Sequence, residues 1–142
     1  MADKPMQLIR LARQFPEKLV SQIKKGTHTE DYVNHSVVAQ RILQVCGPFN
    51  WDTEVIYSEN VPCAVKGTIT VSIDGQPVKV TGIGTDQNNN KEIGDQIKEM
   101  ESDALKRAAS RIGVGLHLWA QQQYFLFPQL LQDFEVASED VK

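Results

Sequence analysis

Apolar residues recur along this chain at two different spacings. Between residues 95 and 112 they fall at steps of three and four: Ile97, Met100, Ala104, Leu105, Ala108 and Ile112. A helix returns to the same side every 3.6 residues, so this segment is expected to be an amphipathic helix with one apolar stripe. Asp95 is placed to cap its start. Gly113 and Gly115 are placed to end it, because glycine takes the left-handed conformation of a helix C-terminus without strain. Between residues 65 and 83 the spacing is two. Val65, Gly67, Ile69, Val71 and Ile73 alternate with Lys66, Thr68, Thr70 and Ser72. Asp74-Gly75 is a two-residue hairpin signal, and residues 76 to 83 form the return strand. That turn pairs Val71 with Val78, Ile69 with Val80, Gly67 with Gly82, Thr70 with Lys79 and Thr68 with Thr81. Apolar residues then share one face and polar ones the other, so turn and pattern agree on the register. Residues 53 to 58, TEVIYS, are expected as a further strand.

The remaining pattern is helical and shorter. Leu8, Ile9, Leu11 and Ala12 form a first amphipathic piece that Phe15-Pro16 breaks. A second short helix is expected to bury Leu19, Val20 and Ile23 and to end at Lys24-Lys25-Gly26. Residues 27 to 35 read as a polar loop. Asn34 or Ser36 caps the next helix, whose inward stripe is Ala39, Ile42, Leu43 and Cys46, and Gly47-Pro48 stops it. Phe49 and Trp51 are expected as core anchors. Residues 85 to 94 form a polar loop. Residues 116 to 119 are apolar enough to be buried. Residues 120 to 131 extend as a helix until Pro128, and Tyr124, Phe125, Phe127, Leu130 and Leu131 form an apolar edge that docks onto something. The fold class expected is α+β: a helix, a three-stranded antiparallel sheet and a long helix packed on it, with flanking terminal helices.

Composition narrows the class. At 142 residues the chain holds one domain, expected at 1–132, with 133–142 as an acidic, disordered tail. No apolar run is long enough for a membrane span, and the first residues lack the apolar core of a signal peptide. Cys46 and Cys63 have neither zinc nor disulfide spacing, which suits a reducing compartment such as the cytoplasm. The net charge is −3 with a pI of about 5.6, which argues mildly against nucleic acid. Distribution changes that picture. Four of the 18 acidic residues and one of the 15 Lys and Arg lie in the last ten positions, leaving 14 of each in the first 132. A neutral body can carry a basic groove, because a local cluster sets the field a ligand meets.

Candidate chemistry is sparse. No phosphate-binding glycine loop, metalloprotease helix or serine-nucleophile elbow is present, so neither a nucleotide nor a metal cofactor is expected. His28, Glu30, Asp31 and His35 match no metal-ligand spacing. Asp74, Asp86, Glu92 and Asp95 could make a nuclease cluster, but turn and cap account for Asp74 and Asp95. What stands out is the outward face of the long helix, with Lys98, Lys106, Arg107 and Arg111. On spacing alone a solvated face explains them better than a phosphate site, since Asp103 can pair with Lys106 and Arg107. The polar sheet face adds Lys66 and Lys79, looking at solvent or at a ligand.

The words YVNHSVVAQRILQVCGPFNW, KGTITVSIDG, VKVTGIGT and ESDALKRAASRIGVGLHLW, spanning Tyr32 to Trp119, resemble the Rad-fifty-two-type single-strand DNA annealing proteins and their phage relatives. The last word is the most specific. The resemblance implies a DNA-binding protein of recombination and repair, not an enzyme, working as a ring of identical subunits whose sheet and long helix line a groove. It implies DNA-backbone contacts for Lys106 and Arg107, which match the family's Lys-Arg pair directly. Eukaryotic members place the third cation where this chain has Ser110, and Arg111 stands one residue on. Lys66, Lys79 and Lys25 complete the candidate DNA-binding set. The expected partners are single-stranded DNA, further copies of the chain and a single-strand-binding protein, in a phage or bacterial host cell. The alternatives are a double-stranded RNA-binding module, which has the same helix–three strands–helix order, and, behind it, a metal-dependent nuclease.

Overall fold

The computed structural model describes the backbone of residues 3–86 and 91–141; the centre of the polar loop expected at 85–94 lies outside them. The elements run α1 (Asp3–Ala12), β1 (Ser21–Lys25), β2 (His28–Tyr32), α2 (His35–Cys46), β3 (Asn50–Ser58), β4 (Val61–Ile73), β5 (Gln76–Gly84), α3 (Ile93–Ser110), α4 (Leu116–Ala120) and α5 (Leu126–Val141). The architecture is α+β, with a three-stranded antiparallel sheet in the order β3-β4-β5 and a separate two-stranded sheet, β1-β2.

The register expected from the Asp74-Gly75 turn is the register found: Val71 pairs with Val78, Ile69 with Val80, Gly67 with Gly82, Thr70 with Lys79 and Thr68 with Thr81. Both turn residues have positive φ, 56° and 76°, as the tight mirror-image turn requires. The strands extend past the expected limits, β3 by three residues and β4 by four at their N-terminal ends. They meet at a second two-residue turn, Glu59-Asn60, where φ is 52° and 67°.

The long helix lies directly on the sheet because two glycines let it. A Cβ on Gly82 would collide with the backbone of Ala104 and Ala108, and one on Gly84 with the carbonyl of Met100 and the amide of Ala104. The Trp51 ring covers Gly67 on the same sheet face, and its indole donates to Glu101 of α3 at 3.1 Å. Met100, Ala104, Leu105, Ala108 and Ile112 are buried as the stripe predicted, meeting Val65, Ile69 and Val71. Gly113 and Gly115 take φ of 94° and 72°, and the Val114 amide bonds the Ala109 carbonyl, closing the helix. The start differs from expectation. Glu92 occupies the cap position without a side-chain bond, and Asp95 lies inside the first turn. There its charge still suits the positive end of the helix dipole.

Residues 21 to 32 are a hairpin, not the end of a short helix and a loop. A 3₁₀ turn at Glu17–Leu19 is the only helical piece there, and Ser21–Lys25 pairs with His28–Tyr32 across Gly26-Thr27. Gly26 has φ of 63°, a conformation that serves a hairpin turn as well as a helix end. In α2, Asn34 is the cap, its Oδ1 accepting from the Ser36 amide at 2.9 Å. Val38 and Ile42 form the buried stripe, whereas Leu43 is 49% exposed. Arg41 of α2 donates through Nη1 to the carbonyls of Arg10, Leu11 and Arg13 at 3.2, 3.2 and 2.6 Å, closing the C-terminus of α1.

Pro128 does not end a helix. The helix after α3 stops at Ala120, a 3₁₀ turn follows at Gln121–Gln123, and Pro128 sits in the first turn of α5, where its missing N–H costs nothing. Part of the apolar edge docks within the chain: the Tyr124 hydroxyl donates to the Ala12 carbonyl and the ring meets His117. Phe125 remains 70% exposed.

Candidate nucleic-acid interface

The last turns of α3 project Lys106, Arg107 and Arg111, and each is held differently. Lys106 is half-buried. Its ammonium lies 4.2 Å from the centroid of the Tyr32 ring and 3.4 Å from the Val33 carbonyl, both at the end of β2. Burial pushes its pKa below the ordinary lysine value, while Asp103 and Glu99 oppose that shift. Arg107 is exposed. Its Nε bonds Asp103 Oδ2 at 2.9 Å, and its guanidinium lies 4.7 Å from the Trp119 ring centroid. The same Asp103 oxygen accepts from the Thr85 amide at 3.0 Å, tying the end of β5 to the helix. Arg111 donates through Nε to the Thr81 carbonyl at 2.7 Å, which lays its side chain against the outer edge of β5.

These contacts divide the cations between two depressions. One, of about 720 Å³, runs along the edge of β5 between Thr81, Ile83, Arg107, Arg111 and Trp119. The other, of about 770 Å³, lies between the β1-β2 hairpin and α3 and includes Tyr32, Lys98, Lys106, Arg107 and Trp119. Arg107 and Trp119 line both and form the ridge between them. In the second depression carboxylates outnumber cations: Glu30, Asp31, Asp86, Glu99 and Asp103 line it beside Lys98, Lys106 and Arg107.

The sheet lysines belong elsewhere. Gly82 and Gly84 face α3, so alternation turns Lys66 and Lys79 to the opposite side of the sheet, where both are exposed. Within one protomer they share no groove with the α3 cations. Lys66 there sits beside its cross-strand partner Glu54. Lys25 ends β1, and its side chain lies outside the described residues.

Two aromatic side chains of the site were not singled out from the sequence. Tyr32 and Trp119 each cover one cation, 74 and 12 residues away in the chain. No periodicity connects such pairs. Only the hairpin and the Gly113–Gly115 turn bring them together. Among the described residues no group of three or more His, Cys, Asp or Glu is placed to hold a metal ion, and no helix is long and apolar enough to cross a membrane. The carboxylates weighed as a nuclease cluster have other places: Asp74 lies in its hairpin turn, its amide bonding Gln7, and Asp86 pairs with Lys91 at 3.1 Å.

Residues 6–129 match the family described as Rad52/22 family double-strand break repair protein. No curated protein matches the chain significantly.

Proposed function

Because the chain belongs to the Rad52/22 family of double-strand break repair proteins, we propose that it binds single-stranded DNA and anneals complementary strands without ATP. The observation that carries this reading is the Lys106–Arg107 pair in the last turns of α3, each cation against an aromatic ring. Cations bound to phosphates hold a strand regardless of sequence and leave its bases able to meet a complement. Such work needs no catalytic group, so the chain acts as a binding protein. Arg111, fixed at the β5 edge, continues the basic track. Lys66 and Lys79, on the sheet face away from α3, and Lys25 are the further DNA contacts of this reading.

The working form is a homo-oligomeric ring in a DNA-containing cytoplasm, in a phage or its bacterial host. Neighbouring subunits repeat the ridge around the axis, so weak contacts sum along one strand at high effective concentration. Residues 1–132 form the annealing unit of this reading, a boundary that falls within α5, and the charge of the acidic stretch 133–142 keeps the ring soluble. A single-strand-binding protein on the same strands is a natural further partner.

The test is binding and annealing of two complementary oligonucleotides, without ATP, by the native chain and by Lys106→Ala/Arg107→Ala. The double variant weakens binding and lowers the log–log salt slope by about 0.7 per lost phosphate contact. An unchanged slope in a folded double variant refutes the assignment. Degradation of single strands on adding magnesium would point to a nuclease, and a preference for duplex RNA would point to a double-stranded RNA-binding module.

A further inference from the structure

Trp119 is the larger of the site's two aromatic rings, and it ends the apolar run 116–119 that the sequence expects to be buried. It is 44% exposed. The chain's other tryptophan shows the contrast: Trp51 is half-buried, packs on Gly67 and bonds Glu101 through its indole. Among the described residues the Trp119 indole has no hydrogen bond, and its ring contact is the Arg107 guanidinium at 4.7 Å.

The residues around Trp119 hold its backbone firmly. Gly113 and Gly115 hold the turn with φ of 94° and 72°, and a Cβ on either would touch Ala12 or the Phe15 ring. Leu118 packs on the core, and His117 Nε2 accepts from the Phe15 amide at 3.3 Å. An indole displayed from so fixed a backbone loses little freedom when a flat ligand covers it. It also lines both depressions, so a strand passing from one to the other crosses it.

We infer that Trp119 is a base-stacking residue: one nucleobase of the bound single strand lies on its indole while the adjacent phosphate meets Arg107. This rests on the single-strand reading above and adds a contact to the bases, which phosphate-binding cations do not make. Every base has a π-face, so the contact strengthens binding without selecting sequence. The guanidinium is held by the indole quadrupole and a base would stack on the ring mainly by dispersion, so the two contacts use different properties of one ring.

The experiment compares a short oligothymidylate with a base-free oligodeoxynucleotide of equal length, for the native chain, Trp119→Phe and Trp119→Leu. Binding is followed by a label on the DNA and, in the native chain, by tryptophan fluorescence. The native chain is expected to bind the thymidylate more tightly than the base-free strand, with its indole emission quenched only by the former. Trp119→Leu is expected to lose roughly five- to a hundredfold for the thymidylate and several-fold less for the base-free strand, where only the seat of Arg107 is lost. Trp119→Phe, which keeps a ring, retains most of the preference. Equal losses on both strands would mean that Trp119 only supports Arg107 and would overturn the inference, as would no loss on either. If the native chain binds neither strand, the single-strand reading itself fails and takes this contact with it.

Discussion

Asp103 holds Arg107 through a single carboxylate oxygen, 2.9 Å from the guanidinium Nε, beside the ridge that Arg107 and Trp119 form. The anion orients the cation but also repels a phosphate arriving beside it. At 4 Å in water that repulsion is about 1 kcal/mol. An exposed ion pair contributes no more than about 1 kcal/mol to stability. Asp103→Asn keeps an oxygen acceptor for Thr85 and Arg107 and removes the charge. We expect it to bind single-stranded DNA about fivefold more tightly at low salt, with the advantage fading as ionic strength rises. Weaker binding by this variant in a salt titration would show that orientation outweighs repulsion.

The glycines beneath α3 should be intolerant, and for steric reasons. At Gly82 and Gly84 a methyl group meets helix backbone, which cannot swing aside as a side chain can. Gly82→Ala is expected to cost about 1–3 kcal/mol in a denaturant titration. A methyl group on Gly94, in the first turn of α3, would have no neighbour within 4 Å. Gly94→Ala is expected to stabilise by about 0.5–1 kcal/mol. Equal effects at the two positions would contradict the close approach of helix and sheet.

His117 sets a pH dependence. Burial, then the nearby Arg41, pushes its pKa below the ordinary histidine value, while Asp31 acts the other way. Its Nε2 must be unprotonated to accept from Phe15, and its Nδ1 is buried without a hydrogen-bond partner among the described residues. With the folded value depressed, the unfolded chain takes up the proton first. The contribution is therefore complete above the ordinary histidine pKa and is lost as pH falls through the folded value. Urea midpoints measured from pH 7 to pH 5 should fall, and His117→Gln should flatten that part of the profile. A native profile no steeper than the variant's would rule this histidine out.

Of the apolar residues near α5, Tyr124 works inside the protomer and Phe125 does not. If the proposed ring forms through this edge, Phe125→Ser combined with Leu131→Ser lowers the mass measured by light scattering while leaving the thermal transition of the protomer almost unchanged. Tyr124→Phe removes the bond to Ala12 and should instead lower stability by about 0.5–1.5 kcal/mol. An oligomer unaffected by the double serine variant would move the subunit contact away from this edge.

What the sequence determined by itself is what depends on near neighbours. Asp74-Gly75 dictated a turn, the turn dictated a register, and alternation over nine residues chose the face, all before any distant contact was known. The stripe of α3 and its glycine stop were equally local. Signals failed where one local feature serves two structures. Gly26 in the left-handed region ends a helix or turns a hairpin, and only pairing of β1 with β2 selects between them. Glu59 and Asn60 take positive φ without a glycine, so the β3-β4 turn left little mark.

The site divides in the same way. The Lys106–Arg107 pair is legible as a motif on one helix face. Its surroundings were decided by tertiary structure alone. Only the placing of Lys66 and Lys79 was already local, since alternation puts them on the polar face that α3 does not cover. The hairpin had to fold before Tyr32 met Lys106, and the chain had to turn at Gly113 and Gly115 before Trp119 met Arg107. Periodicity records which way a side chain faces along its own element. It carries no information on which element lies opposite, because that is settled by how all the apolar faces close over one core.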